Sequence, residues 1–241
     1  MKITELLKEK QQSMRKNKPV TIAFLGDSVT QGCFECFMEL NGDINTIHDY
    51  KSAYSTRVRE ILNLLYPRTQ VNIINSGISG DNALGGLTRL TRDVLSYHPD
   101  LVVVCFGLND CNDDSVEPND YKASLKAIFA EIHAAGKDVI FMTPNMMNTY
   151  VPHTVTDDFA KKLGVMFAER QNNGYFDSFM DAAREACAEE GVPLCDCYKI
   201  WRSLNESGVD TTALLSNGLN HPTRDLHLLF AWELVRTMLE N

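Results

Sequence analysis

Five short apolar runs, each rich in β-branched or aromatic residues, alternate along this chain with segments of helical spacing. The runs are VTIAFL (20–25), VNIINSG (71–77), DLVVVCFG (100–107), DVIFMTP (138–144) and VPLCDC (192–197). Apolar runs without polar alternation read as strands covered on both faces. Between the first two, Val58, Ile61, Leu62 and Leu65 recur at helical spacing. Helical patterns also run through LTRLTRDVLSY, YKASLKAIFAEIHAAG, FDSFMDAAREACAEEG and the closing TRDLHLLFAWELVRTMLE. Strands that alternate with helices build βαβ units, and βαβ units build a parallel sheet between helix layers. The expected class is therefore α/β: a three-layer sandwich with a roughly five-stranded parallel sheet and helices on both faces. A length of 241 residues suits one domain, and no shift in composition marks a boundary, so a single domain over 1–241 is expected.

Two stretches fall outside the alternation, 33–50 (CFECFMELNGDINTIHDY) and 143–158 (TPNMMNTYVPHTVTDD), and both read as long loops. In an open parallel sheet the ligand crevice lies beyond the carboxyl ends of the strands, so such loops are candidate substrate walls. The net charge of −9 argues against nucleic acid as a partner, since phosphate contacts need clustered Lys and Arg. No apolar run approaches the roughly 20 residues of a membrane span, and MKITELLKEKQQ lacks the apolar core of a signal peptide. As it stands the chain reads as cytoplasmic, with no membrane partner. Its seven cysteines form an odd set, several inside apolar runs, which fits reduced thiols. Cys33 and Cys36 have CxxC spacing without a second pair, so no metal site is expected.

The polar residues that follow the strands carry the chemistry. The first strand exits into Gly26-Asp27-Ser28, the second into Gly77-Ile78-Ser79-Gly80-Asp81 and the third into Gly107-Leu108-Asn109-Asp110. Just before the last helix stands Asn217-Gly218-Leu219-Asn220-His221-Pro222. All four blocks converge on one rim of the sheet. They supply a hydroxyl, an imidazole and neutral N–H donors, which are the groups acyl transfer requires. Ser28 read alone is equally an N-cap, and Gly77 reads as a turn residue. Asp27 is expected to hold backbone amides, and His227 to serve the core or the surface.

These blocks, in this order, resemble the GDSL family, also called SGNH hydrolases. The resemblance implies a flavodoxin-like sheet and hydrolysis of a carboxylic ester through an acyl-enzyme, with no cofactor and no metal. Position by position, Ser28 matches the nucleophile and His221 the general base. The Ser28 N–H, the Gly80 N–H and the Asn109 side-chain amide match the three oxyanion donors. The α/β-hydrolase elbow G-x-S-x-G is absent, since Ser79 is preceded by Gly77 but followed by Asp81.

One departure stands out. The family places aspartate three residues before the histidine, and here that residue is Gly218. Asn217 is then the expected third catalytic residue, accepting from the imidazole through its amide oxygen. A backbone carbonyl or a carboxylate recruited from elsewhere, Asp196 or Asp225, are the alternatives. The expected substrate is a small-molecule ester with a short acyl group, such as acetyl on a sugar, because the rim loops carry Asn145, Asn148, Tyr150 and His153. Longer acyl esters or thioesters are an alternative, and so is a ligand-binding module without turnover.

Overall fold

The first strand shows why the alternation folds as it does. β1 (Val20–Gly26) is buried along nearly its whole length, because both of its faces are covered and both of its edges are paired. In the computed structural model, which describes residues 2–40 and 44–241, an amphipathic helix α1 (Lys2–Gln12) precedes it and packs beside it through Ile3 and Leu7. After β1 come the one-turn helix α2 (Ser28–Gln31), an antiparallel hairpin β2 (Cys33–Met38) and β3 (Ile44–His48), then α3 (Tyr54–Leu65). The chain continues through β4 (Val71–Gly77), α4 (Ala83–Asp93), β5 (Leu101–Cys105), α5 (Leu108–Cys111), α6 (Pro118–Ala134) and β6 (Asp138–Met142). It closes with α7 (Asp158–Asn172), α8 (Tyr175–Glu190), β7 (Leu194–Cys195), α9 (Cys197–Glu206) and α10 (Leu226–Glu240).

The main sheet is five-stranded and parallel, in the order β4-β1-β5-β6-β7. Numbered along the chain these strands run 2-1-3-4-5, the flavodoxin-like doubly wound order, whose crevice opens where β1 and β5 send their connections to opposite sides. α3 and α10 pack on each other on one face, and α4, α6 and α8 pack in series on the other. α6 illustrates the sequence logic. Proline stands at its first turn and Glu117 and Asp120 form a reciprocal capping box. Tyr121, Leu125, Ile128, Phe129 and Ile132 then make one buried stripe.

The five expected strands and the helices between them are present. The reading of 33–50 as a loop is corrected: it contains the β2–β3 hairpin, which pairs only with itself and stands off the main sheet at the crevice. The sequence did carry the signal, since Asn41-Gly42 lies between the β-prone runs CFECFM and INTIH. Residues 143–157 have no helix or strand, as expected. No described helix is long and apolar enough to cross a membrane.

Candidate active site

Ser28 sits where β1 gives way to α2. Asp27 caps that turn, its carboxylate accepting from the Val29 N–H at 3.0 Å, so the hydroxyl of Ser28 projects from the first helical position into the crevice. His221 reaches it from the loop before α10, with Nε2 2.9 Å from Ser28 Oγ. The other ring nitrogen, Nδ1, lies 2.9 Å from the backbone oxygen of Phe34 in β2. A carbonyl can only accept, so Nδ1 carries the proton and Nε2 is left to accept from the serine hydroxyl. Both residues are buried.

The donors stand around the same hydroxyl. Ser28, Gly80, Asn109 and His221 line one cleft of about 280 Å³. Gly80 has φ +80°, a left-handed turn that leaves its N–H without an acceptor among the described residues. The Asn109 amide spends one N–H on the Asp81 carbonyl at 2.7 Å, which leaves the second for the cleft. Buried Arg89 fixes this loop: it donates to Asp81 Oδ2 at 2.6 Å, to the Ser76 carbonyl at 2.6 Å and to the Gly26 carbonyl at 3.0 Å. One guanidinium thus ties the ends of β1 and β4 to the turn that carries Gly80. Asp110 does not enter the cleft. Its carboxylate accepts from the Ala83 N–H at 2.9 Å, at the start of α4.

Asn217 is the one expected site residue whose assigned contact is absent. Its side-chain oxygen accepts from the N–H groups of Leu219, Asn220 and His221, each at 3.0 Å, and its amide nitrogen donates to Asn220 Oδ1 at 3.0 Å. Asn217 shapes the loop that bears His221, and the Phe34 carbonyl takes the place at Nδ1. The physical reason lies next door. Gly218, the family's aspartate position, has φ +67°, and a Cβ there would lie 2.8 Å from Pro152 Cγ. A side chain at 218 would be strained by the backbone and would crowd Pro152.

Neither alternative carboxylate is a partner of the imidazole. Asp196 caps α9 and pairs with Arg184 at 2.9 Å, and Asp225 is an exposed residue at the start of α10. His227 is buried and accepts from the Tyr54 N–H at 3.0 Å, a core role. Asn145 and Asn148 are fully buried and donate to the backbone of Asn220 and Gly164 at 2.8 Å. Asn145 thereby braces the His221 loop and Asn148 ties its own loop to α7, and neither lines the cleft. Tyr150 and His153 do not line it either, and the polar residue that this loop gives to the cleft is Asp157. What faces the cleft from α7 is apolar: Phe159, Ala160, Leu163 and Phe167, with Leu219 beside them and Phe37 on the hairpin.

Burial sets the electrostatics. Desolvation pushes His221 down to about 4, opposed by the Phe34 carbonyl and, more weakly, by the charge of Glu35. It pushes Asp27 up to about 7 and Asp110 up to about 6, and in each one carboxyl oxygen is buried without a partner. Among the described residues no group of three or more His, Cys, Asp or Glu is arranged to hold a metal ion.

A serine and a histidine in contact at the end of the first strand of a 2-1-3-4-5 sheet, faced by amide donors from the next two strand ends, define an ester-hydrolase architecture. The chain belongs to the GDSL-like Lipase/Acylhydrolase family, whose profile matches residues 24–229, and it is a carboxylic ester hydrolase. It is 27% identical over 168 residues to an acetylxylan esterase of Geobacillus stearothermophilus, covering 65% of this chain and 75% of that one. Its fold resembles a variant of an acetyl xylan esterase from the same organism, with TM-score 0.66 and 20% identity, over 91% of this chain and 94% of that one. It also resembles a lipase/acylhydrolase from Enterococcus faecalis, with TM-score 0.66 and 22% identity, over 91% and 95% of the two chains. A two-domain esterase active on acetylated mannans gives TM-score 0.67 at 17% identity, over 99% of this chain and 53% of that one.

Proposed function

We propose that this protein removes short acyl groups, acetyl foremost, from a carbohydrate ester through a serine acyl-enzyme. The observation that carries this reading is the 2.9 Å contact between Ser28 Oγ and His221 Nε2 in a cleft that also presents Gly80 and Asn109. Ser28 Oγ attacks the ester carbonyl carbon while its proton passes to Nε2. The carbonyl oxygen becomes an oxyanion held by the N–H groups of Ser28 and Gly80 and by the Asn109 amide. Collapse breaks the bond to the sugar oxygen, which takes the proton from His221 Nε2 and leaves as the hydroxyl. Water then repeats the sequence on the acyl-enzyme and releases the carboxylic acid. The proton on Nδ1 stays there throughout, donated in a hydrogen bond to the Phe34 carbonyl.

The acetyl and carbohydrate parts of the reading draw on the acetylxylan esterase relative. A second reading has its own observation, the apolar wall of Phe159, Leu163 and Phe167 on α7, which suits a longer acyl chain. A series of p-nitrophenyl esters of rising chain length, run beside acetate release from acetylated xylan and mannan oligosaccharides, separates the two. The first reading expects kcat/KM to fall from acetate onwards and acetate to be freed from the sugars. A steady rise to dodecanoate would overturn it in favour of the second, since each methylene gained in an apolar pocket is worth on the order of 1 kcal/mol or more. Ser28→Ala should abolish turnover of every ester in the series. Retention of more than a few per cent of kcat would remove the serine from the mechanism.

A further inference from the structure

The imidazole of His221 is oriented by a backbone carbonyl in a hairpin that belongs to no larger sheet. Something must hold that hairpin in register with the His221 loop, or the carbonyl would drift from Nδ1. The side chain that bridges the two is Arg224, just past His221. Its guanidinium makes a two-pronged contact with Glu35, through Nη1 to Oε1 at 2.5 Å and Nη2 to Oε2 at 2.9 Å, and its Nε donates to Asp49 Oδ2 at 3.1 Å. The same guanidinium stacks over the Phe34 ring, 4.4 Å from its centroid. Glu35 follows Phe34 directly, and Asp49 follows β3, where its N–H donates to the Gly32 carbonyl at 2.8 Å. One cation thus grips both strands at the open base of the hairpin and the face of the residue whose carbonyl meets the imidazole.

We infer that Arg224, clamped by Glu35 and Asp49, is a positioning residue that holds the Phe34 carbonyl on His221 and so does the orienting work of the missing aspartate. A planar fork is suited to this, since it fixes direction as well as distance. The three side chains are each about a third exposed, at 35%, 38% and 30%, so the cluster contributes little to stability and its effect is geometric. The cluster has a second consequence. Glu35 brings a negative charge towards His221, and Arg224 neutralises it. The other groups about the ring are Cys36 of β2, 3.9 Å from Nδ1, and buried His227 of α10, on which Arg224, Arg57 and Asp49 act in turn.

The inference rests on the proposed pairing of Ser28 and His221, and its test is built so that the two fail separately. Arg224→Gln and Glu35→Gln are compared with the wild type by p-nitrophenyl acetate kinetics and by ¹⁵N NMR titration of the His221 ring, which needs no turnover. Both variants should lower kcat about tenfold to a hundredfold with KM little changed, because a misaligned base costs that much. Thermal midpoints should stay within about 2–4 °C of wild type. The double variant should be little worse than either single one. The His221 ionisation should move in opposite directions: upwards in Arg224→Gln, which frees the Glu35 charge, and downwards in Glu35→Gln, which removes it. A purely structural role would move both the same way. A kcat within twofold of wild type in Arg224→Gln, or ring ionisations that fail to separate, overturns the inference. If the wild type turned over no ester, the mechanism would fall and the NMR titration alone would still decide the role of Arg224.

Discussion

Asn217→Ala is the substitution that tests how the His221 loop is built. The Asn217 side-chain oxygen gathers three backbone N–H groups at 3.0 Å, from Leu219, Asn220 and His221. All three donor residues are buried, at 6%, 8% and 4% exposure, so water cannot readily replace the lost acceptor. An ordinary intramolecular hydrogen bond contributes about 0.5–1.5 kcal/mol net, and a buried donor left unpaired costs about 1–3 kcal/mol. Three such donors on one loop, partly relieved by local movement, should destabilise the protein by about 2–4 kcal/mol. In urea this appears as a midpoint lowered by about 1–2 M at an unchanged slope. Asn217→Asp, whose carboxylate can accept from the same three N–H groups, should keep the midpoint within about 0.5 M of wild type. Activity of the alanine variant should fall as well, because His221 loses the anchor on its own N–H. Had Asn217 merely supported the imidazole, alanine would lower kcat and leave stability almost untouched. A wild-type urea midpoint in Asn217→Ala would therefore refute the reasoning.

Three further outcomes can be checked. Asn109→Ala should lower kcat on the order of 10²–10³-fold with a smaller effect on KM, because its free N–H bonds mainly to the developing oxyanion; a change confined to KM would make it a substrate-binding group. In the proposed mechanism His221 reacts as the neutral ring, and burial lowers its ionisation to about 4, so kcat/KM should hold down to about pH 5 and fall only below it; an acidic limb centred near the unperturbed value of about 6.5 would show that the ring is better solvated than its burial implies. Gly218→Asp, which restores the family spacing, should destabilise without raising activity, since φ is +67° there and a Cβ would meet Pro152 Cγ at 2.8 Å; a gain in kcat with unchanged thermal stability would contradict that geometry.

The strand ends were legible in the sequence because their chemistry is carried by residue type and order. A serine, a glycine turn, an asparagine and a histidine at successive strand exits are brought together by the parallel sheet itself, whose strands all end at one rim. What lay outside reach was anything carried by direction or by the backbone. The Phe34 carbonyl belongs to every residue type alike, so no letter in the sequence announces it. Asn145 and Asn148 read as polar rim groups, yet both turn inward to backbone carbonyls. The apolar residues of α7 that wall the cleft carry no motif that would single them out. The hairpin had a turn signal in Asn41-Gly42, but two short strands that pair only with each other lack the length and continuity that identified the main sheet.

Replacing a carboxylate by a carbonyl at Nδ1 changes the energetics in a definite direction. A triad aspartate does two things: it fixes the tautomer and it stabilises the imidazolium that forms when the serine gives up its proton. The Phe34 carbonyl at 2.9 Å does the first as well as a carboxylate would, because it too can only accept. It does the second only through a dipole. The formal charge that acts on the ring, on Glu35, is already balanced by Arg224. The base is therefore held in the right orientation and kept weakly basic. In the proposed mechanism that combination favours a site that stays in its reacting form at mildly acidic pH, and it places the main demand for charge stabilisation on the proposed oxyanion donors, Gly80 and Asn109. The arrangement that braces those donors, Arg89 reaching Asp81 and the ends of both β1 and β4, is correspondingly rigid and buried. Where the imidazolium receives little help, the oxyanion side of the same transition state must receive more.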